Sequence, residues 1–66
     1  MELEESRFYT VEEIAAILRT HVQTVRRWIR AGRLPVLRME RRYRVRGADI
    51  LAMIGKLERE ASQGQK

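Results

Sequence analysis

Residues 10–32 read TVEEIAAILRTHVQTVRRWIRAG, and this stretch decides the architecture. Its opening, Thr10 to Glu13, fits a capping box, in which the Thr10 hydroxyl accepts from the Glu13 amide and the Glu13 carboxylate reaches back to the Thr10 amide. Tyr9 before the cap and Ile14 inside the helix are spaced for a hydrophobic staple. Val11, Ile14, Ala15 and Leu18 then recur at i, i+3, i+4 and i+7, with Ile17 widening the same face, which predicts a helix over 11–19. Thr20-His21 breaks the pattern. Thr20 and Gln23 fit a second capping box, with His21 as a less suitable cap. Val22, Val25, Trp28 and Ile29 form the apolar stripe of a second helix over 22–31, which Gly32 ends in the C′ manner. Gln23, Arg26, Arg27 and Arg30 fall on the opposite side at spacings of three and four, with Thr24 beside them. One face is a core plug and the other a row of hydrogen-bond donors.

Downstream, Pro35 forbids continuation of the helix and leads into an extended stretch. Leu37 and Met39 alternate with Val36 and Arg38, and Tyr43 and Val45 alternate with Arg42, Arg44 and Arg46. The expectation is a β-hairpin over 36–46 with an apolar face, which buries Leu37, Met39, Tyr43 and Val45, and an arginine face. Its tip, Glu40-Arg41, lacks the Asn-Gly or Gly-Gly pair that a two-residue loop prefers. Asp49 then stands in the first turn of a third helix, where its charge suits the dipole. Ile50, Met53, Ile54, Leu57 and Ala61 keep one stripe running past Gly55. An interior glycine costs about 1 kcal/mol against alanine, so the helix is expected to stop at Gly55 or fray beyond it. Residues 7–61 form the expected domain, between an acidic flexible N-terminus (1–6) and a flexible tail (62–66).

Sixty-six residues make one small domain, and 44% hydrophobic composition supports a modest core. A substrate cavity would compete with that core for the same few side chains, which argues against an enzyme. With no cysteine, disulfides and thiolate-bound metals are excluded. His21 is the lone histidine, and a metal site needs several ligands, so neither metal nor cofactor is expected. The longest apolar run is far too short to span a bilayer, and the acidic start is unlike a signal peptide, so no membrane is expected and the expected location is cytoplasmic. Fourteen Lys and Arg face nine Asp and Glu, but the excess is segregated. Residues 1–18 carry five Glu and one Arg, whereas residues 19–46 carry ten Arg and one Glu. Such a block attracts a polyanion. Twelve of the fourteen bases are arginine, whose planar fork pairs with phosphate or guanine through two bonds.

Two short helices in tandem, the second rich in arginine, followed by a basic hairpin and a third helix, make a mainly α winged helix-turn-helix. Its second helix would enter the major groove and its hairpin would be the wing. Tyr9 to Leu18, Thr24-Val-Arg-Arg-Trp-Ile-Arg30, Ala31-Gly-Arg-Leu-Pro35 and Arg42-Tyr-Arg-Val45 resemble the excisionase-like, MerR-type DNA-binding domains over about residues 8–54. The resemblance implies a small regulator of transcription or a recombination-directionality factor that binds double-stranded DNA. By that resemblance Gln23, Thr24 and Arg27 read bases, Arg26 and Arg30 hold phosphate, and Arg41, Arg42 and Arg44 are wing contacts. Two departures stand out: Arg19-Thr20-His21 replaces the usual Gly-Val-Ser between the helices, and Glu40-Arg41 replaces Gly-Gly at the wing tip. The long dimerisation helix and effector domain of MerR proteins have no counterpart here, so no small-molecule effector is expected.

Gln23 with Arg27 is the sharpest signal in the residues themselves, since these side chains suit adenine and guanine edges. Trp28 lies on the core stripe and is expected to pack rather than stack on a base. Tyr43 is expected to pack first, with its hydroxyl as a further phosphate contact. Met39 and Met53 are expected to fill gaps in the core. One helix reads only a few base pairs, so self-association on adjacent half-sites is expected, with Ile54 and Leu57 as candidate contacts. Two alternatives use the same arginines: a non-specific architectural nucleic-acid binder, and a protein-interaction module docking an acidic partner.

Overall fold

The computed structural model describes residues 3–63. Strand β1 (Phe8–Tyr9) leads into α1 (Val11–Leu18) and α2 (Val22–Arg30), then β2 (Leu37–Met39), β3 (Arg42–Arg46) and α3 (Gly47–Gln63). The capping box at Thr10 forms in both directions, with the Glu13 amide donating to the Thr10 hydroxyl at 3.0 Å and the Thr10 amide donating to the Glu13 carboxylate at 2.8 Å. Five side chains are fully buried, each from a different part of the chain: Ile14 on α1, Val25 on α2, Leu34 in the connection, Val45 on β3 and Ile50 on α3. Tyr9, Val11, Ala15 and Met53 complete the core, and Trp28, Ile54 and Leu57 pack against it half-buried. The expected roles of Trp28 and Met53 are therefore met.

Both ends of the α1–α2 turn differ from expectation. Arg19 adopts φ 54°, ψ 48°, and its amide donates to the Ala16 carbonyl while the Thr20 amide donates to the Ala15 carbonyl. These two bonds close α1 as a Schellman motif, with arginine in the left-handed position that glycine normally takes. His21, not Thr20, is the N-cap of α2, and no side chain caps it. The second capping box does not form, because Thr20 is already engaged through its backbone in closing α1. Gly32 behaves as expected. With φ 79° it donates to the Ile29 carbonyl while the Arg33 amide donates to the Trp28 carbonyl, a second Schellman closure.

The sheet runs β1-β3-β2, all antiparallel. β1 was not anticipated; two residues carry no alternation to read. It pairs Phe8 with Arg46 and Tyr9 with Val45. The hairpin register is Leu37 with Arg44, Arg38 with Tyr43 and Met39 with Arg42, so the loop is Glu40-Arg41. A two-residue loop pairs odd-numbered residues of β2 with even-numbered residues of β3. Paired residues share a face, so Leu37 and Met39 join Arg44 and Arg42, while Arg38 joins Tyr43 and Val45. The expected single apolar face is thereby corrected. Leu37, Met39 and Tyr43 are all exposed, and Val45 alone of the four is buried.

α3 begins directly after β3 and passes through Gly55 without a break. Ser62 and Gln63, expected in the flexible tail, are its last residues; residues 64–66 lie outside the described chain. Near its far end Glu60 accepts from the Arg33 guanidinium at 3.0 and 3.1 Å, an exposed pair that tethers the helix to the connection after α2. The N-terminal segment is tied down as well. The Glu4 amide donates to the Tyr9 hydroxyl, the Ala48 amide to the Glu5 carbonyl, and the Gly47 amide to the Arg7 carbonyl. A Cβ at Gly47 would collide with the Glu4 carbonyl, so only glycine lets this segment lie across the start of α3. From Leu3 onward, then, the stretch expected to be flexible is stitched to α3, whereas residues 1–2 lie outside the described chain.

Candidate nucleic-acid interface

The α-helical repeat turns about 100° per residue, which gathers Gln23, Arg26, Arg27 and Arg30 within an arc of about 100°. All four are exposed, whereas Thr24, about 60° beyond Arg27 on the side of Trp28, is half-buried. The opposite side holds Val22, Val25, Trp28 and Ile29, packed into or against the core. Core packing thus fixes the rotation of α2 and, with it, the direction of the donor row. α2 has no acidic residue in its first turn and no side-chain cap. Its N-terminal amides therefore add to a positive surface.

The hairpin tip meets α2 across a cleft of about 490 Å³ lined by Thr10, Val11, Glu12, Arg26, Arg41, Arg42, Tyr43 and Arg44. It lies beside the part of β3 that β1 leaves unpaired, since β1 pairs only as far as Val45 and the chain then turns into α1. Arg26, Arg41, Arg42, Tyr43 and Arg44 are brought together here, whereas Gln23, Thr24, Arg27 and Arg30 lie elsewhere on α2. The ion pairs found among the described residues are Arg7–Glu4 and Arg33–Glu60. The guanidiniums of α2 and the hairpin are paired with no carboxylate of that set. Arg44 donates to the Tyr43 carbonyl at 3.3 Å. The guanidiniums of the helix and the adjoining hairpin, exposed except for the half-buried Arg44, outnumber the single Glu12 carboxylate of the cleft and can engage phosphates in two places at once.

Thr10, Val11 and Glu12 were read only as the start of a helix, and the sequence gives no sign that they border this cleft. Their position follows from the β1–β3 pairing, which connects residues almost forty apart. No group of His, Cys, Asp and Glu among the described residues is arranged to hold a metal, and no helix is long and apolar enough to cross a membrane.

A helix pair with an outward donor row, a hairpin wing within a three-stranded sheet and a closing helix define a winged helix-turn-helix, a DNA-binding class. The chain belongs to the helix-turn-helix domain family, whose model matches residues 8–57. Members of such DNA-binding families are typically not enzymes, and the family implies DNA as the partner. No curated protein and no solved structure matches the chain.

Proposed function

We propose that the protein is a sequence-specific binder of double-stranded DNA that acts as a small transcriptional regulator or an excisionase-like recombination-directionality factor. α2 lies in the major groove, where Gln23, Thr24 and Arg27 read base edges while Arg26 and Arg30 hold phosphate. Arg41, Arg42, Tyr43 and Arg44 of the hairpin hold the neighbouring backbone. The observation that carries this reading is the meeting of Arg26 with the hairpin arginines across one cleft, where Glu12 is the single carboxylate among the lining residues. Phosphate neutralisation supplies most of the affinity and base contacts the choice of site. A single copy reads too few base pairs for useful discrimination, so two or more copies act on adjacent half-sites, without a small-molecule effector.

The test is selection of binding sites from a random duplex pool, followed by competition between the selected duplex and random DNA at fixed salt. A strong preference for the selected duplex is expected. If about six phosphates are engaged, log K falls against log salt with a slope of about −5. A preference ratio near one would replace specific recognition with architectural binding. Absence of duplex binding even at about 50 mM salt would leave only a protein partner for the arginines.

A further inference from the structure

The register that removes Leu37 and Met39 from the core builds a second surface. Phe8 with Arg46, Leu37 with Arg44 and Met39 with Arg42 all share the outer face of the sheet, opposite the buried Tyr9 and Val45. Phe8, Leu37 and Met39 are 38%, 49% and 45% exposed, and the other exposed large apolar side chain among the described residues, Tyr43, is on the opposite face. Three of the four exposed large apolar side chains among the described residues are therefore gathered here, interleaved with guanidiniums. A groove of about 170 Å³ runs between Phe8 and Leu37, bordered by Pro35, Arg44, Arg46 and Asp49. Arg46 lies over the Phe8 ring at 5.6 Å and pairs with no carboxylate among the described residues.

A duplex makes poor use of such a face. Its exterior is phosphate and sugar, and its apolar groups are the thymine methyls inside the groove. Apolar side chains alternating with cations match a chain that alternates apolar side chains with carboxylates, where burial supplies affinity and charge supplies register. We propose that the outer face of the sheet docks an acidic segment of another protein, with carboxylates on Arg44 and Arg46 and apolar side chains over Phe8, Leu37 and Met39. This surface is separate from the α2 donor row but shares Arg44 with the proposed DNA contacts of the wing, since Arg44 lines both clefts.

The test is titration of the isotope-labelled full chain with a synthetic peptide alternating Glu with Leu, beside a control of equal charge alternating Glu with Ser. Backbone amide shifts are expected at Phe8, at Leu37 to Met39 and at Arg44 to Arg46, with α2 unmoved. The serine control should bind about tenfold more weakly or less, and a Leu37→Ser, Met39→Ser double variant should lose about tenfold in affinity for the Glu-Leu peptide. Both positions are exposed, so the variant keeps its fold and its affinity for duplex DNA. Equal binding of the two peptides, shifts centred on α2, or an unaltered variant would overturn the proposal. So would loss of duplex affinity in the variant, which would assign the face to DNA, or a dimer of the free protein that the variant abolishes, which would assign it to a second copy.

Discussion

α2 and the hairpin both carry arginines into solvent, yet they are held in different ways. α2 is clamped through a fully buried Val25 and through Val22, Trp28 and Ile29, and its C-terminal end is closed by Gly32. In the hairpin Val45 alone is fully buried, with Val36 and Arg44 half-buried, and residues 37–43 are all exposed. A clamped helix presents its side chains at fixed spacing, which recognition of base edges requires; a lightly held wing suits phosphate, whose position tolerates adjustment. Under the proposed function, this contrast suits base recognition by α2 and adaptable backbone grip by the wing.

The largest effect separates the two regions by stability. Ile14→Ala should cost about 3 kcal/mol and lower Tm by more than about 10 °C, whereas Leu37→Ala should stay within about 0.5 kcal/mol, both read by thermal denaturation. Comparable losses would mean that the wing shares the core's cooperativity. Gly47→Ala should cost about 2 kcal/mol, because the added methyl must displace the backbone at Glu4, and amide exchange should rise from Leu3 to Arg7. A neutral result would free the N-terminal segment from α3.

The proposed DNA contacts divide in the same way. Arg27→Ala should relax preference at one base position by about 1–3 kcal/mol, while Arg42→Ala should weaken all duplexes alike and make the salt slope shallower by about one. An even loss from Arg27→Ala would move it to the phosphate class, and an unchanged slope would take Arg42 out of the interface. The smallest test compares two left-handed residues, Arg19 in the α1–α2 turn and Glu40, the first residue of the hairpin loop. Arg19→Gly should stabilise the protein by about 1 kcal/mol. Glu40→Gly removes the same local strain but should leave Tm nearly unchanged, raising exchange protection only in β2 and β3, because the wing opens without global unfolding.

How far the sequence could be read follows the range of the interactions involved. The capping box at Thr10, the stripe through Val25, the Gly32 closure and the donor row on α2 all depend on residues within a few positions of one another. Each was therefore legible. The hairpin was legible as a hairpin, but the faces of Leu37 and Met39 were not, since alternation within each strand says nothing about how the two strands are matched. The helix beyond Gly55 was read too cautiously, because propensity omits the Arg33–Glu60 tether and the packing of Leu57.

The amino-acid sequence by itself determined two helices, the Thr10 capping box, the Gly32 closure and the side of α2 that carries Gln23, Arg26, Arg27 and Arg30, because these are settled by hydrogen bonds and side-chain spacing inside one or two helical turns. Only the tertiary structure decided the rest. β1 exists because β3 offers it an edge, Gly47 is required because Glu4 crosses it, and a loop of two residues rather than three placed Leu37 and Met39 beside arginines. Those outcomes depend on contacts between distant parts of the chain, where one residue of loop length inverts a face.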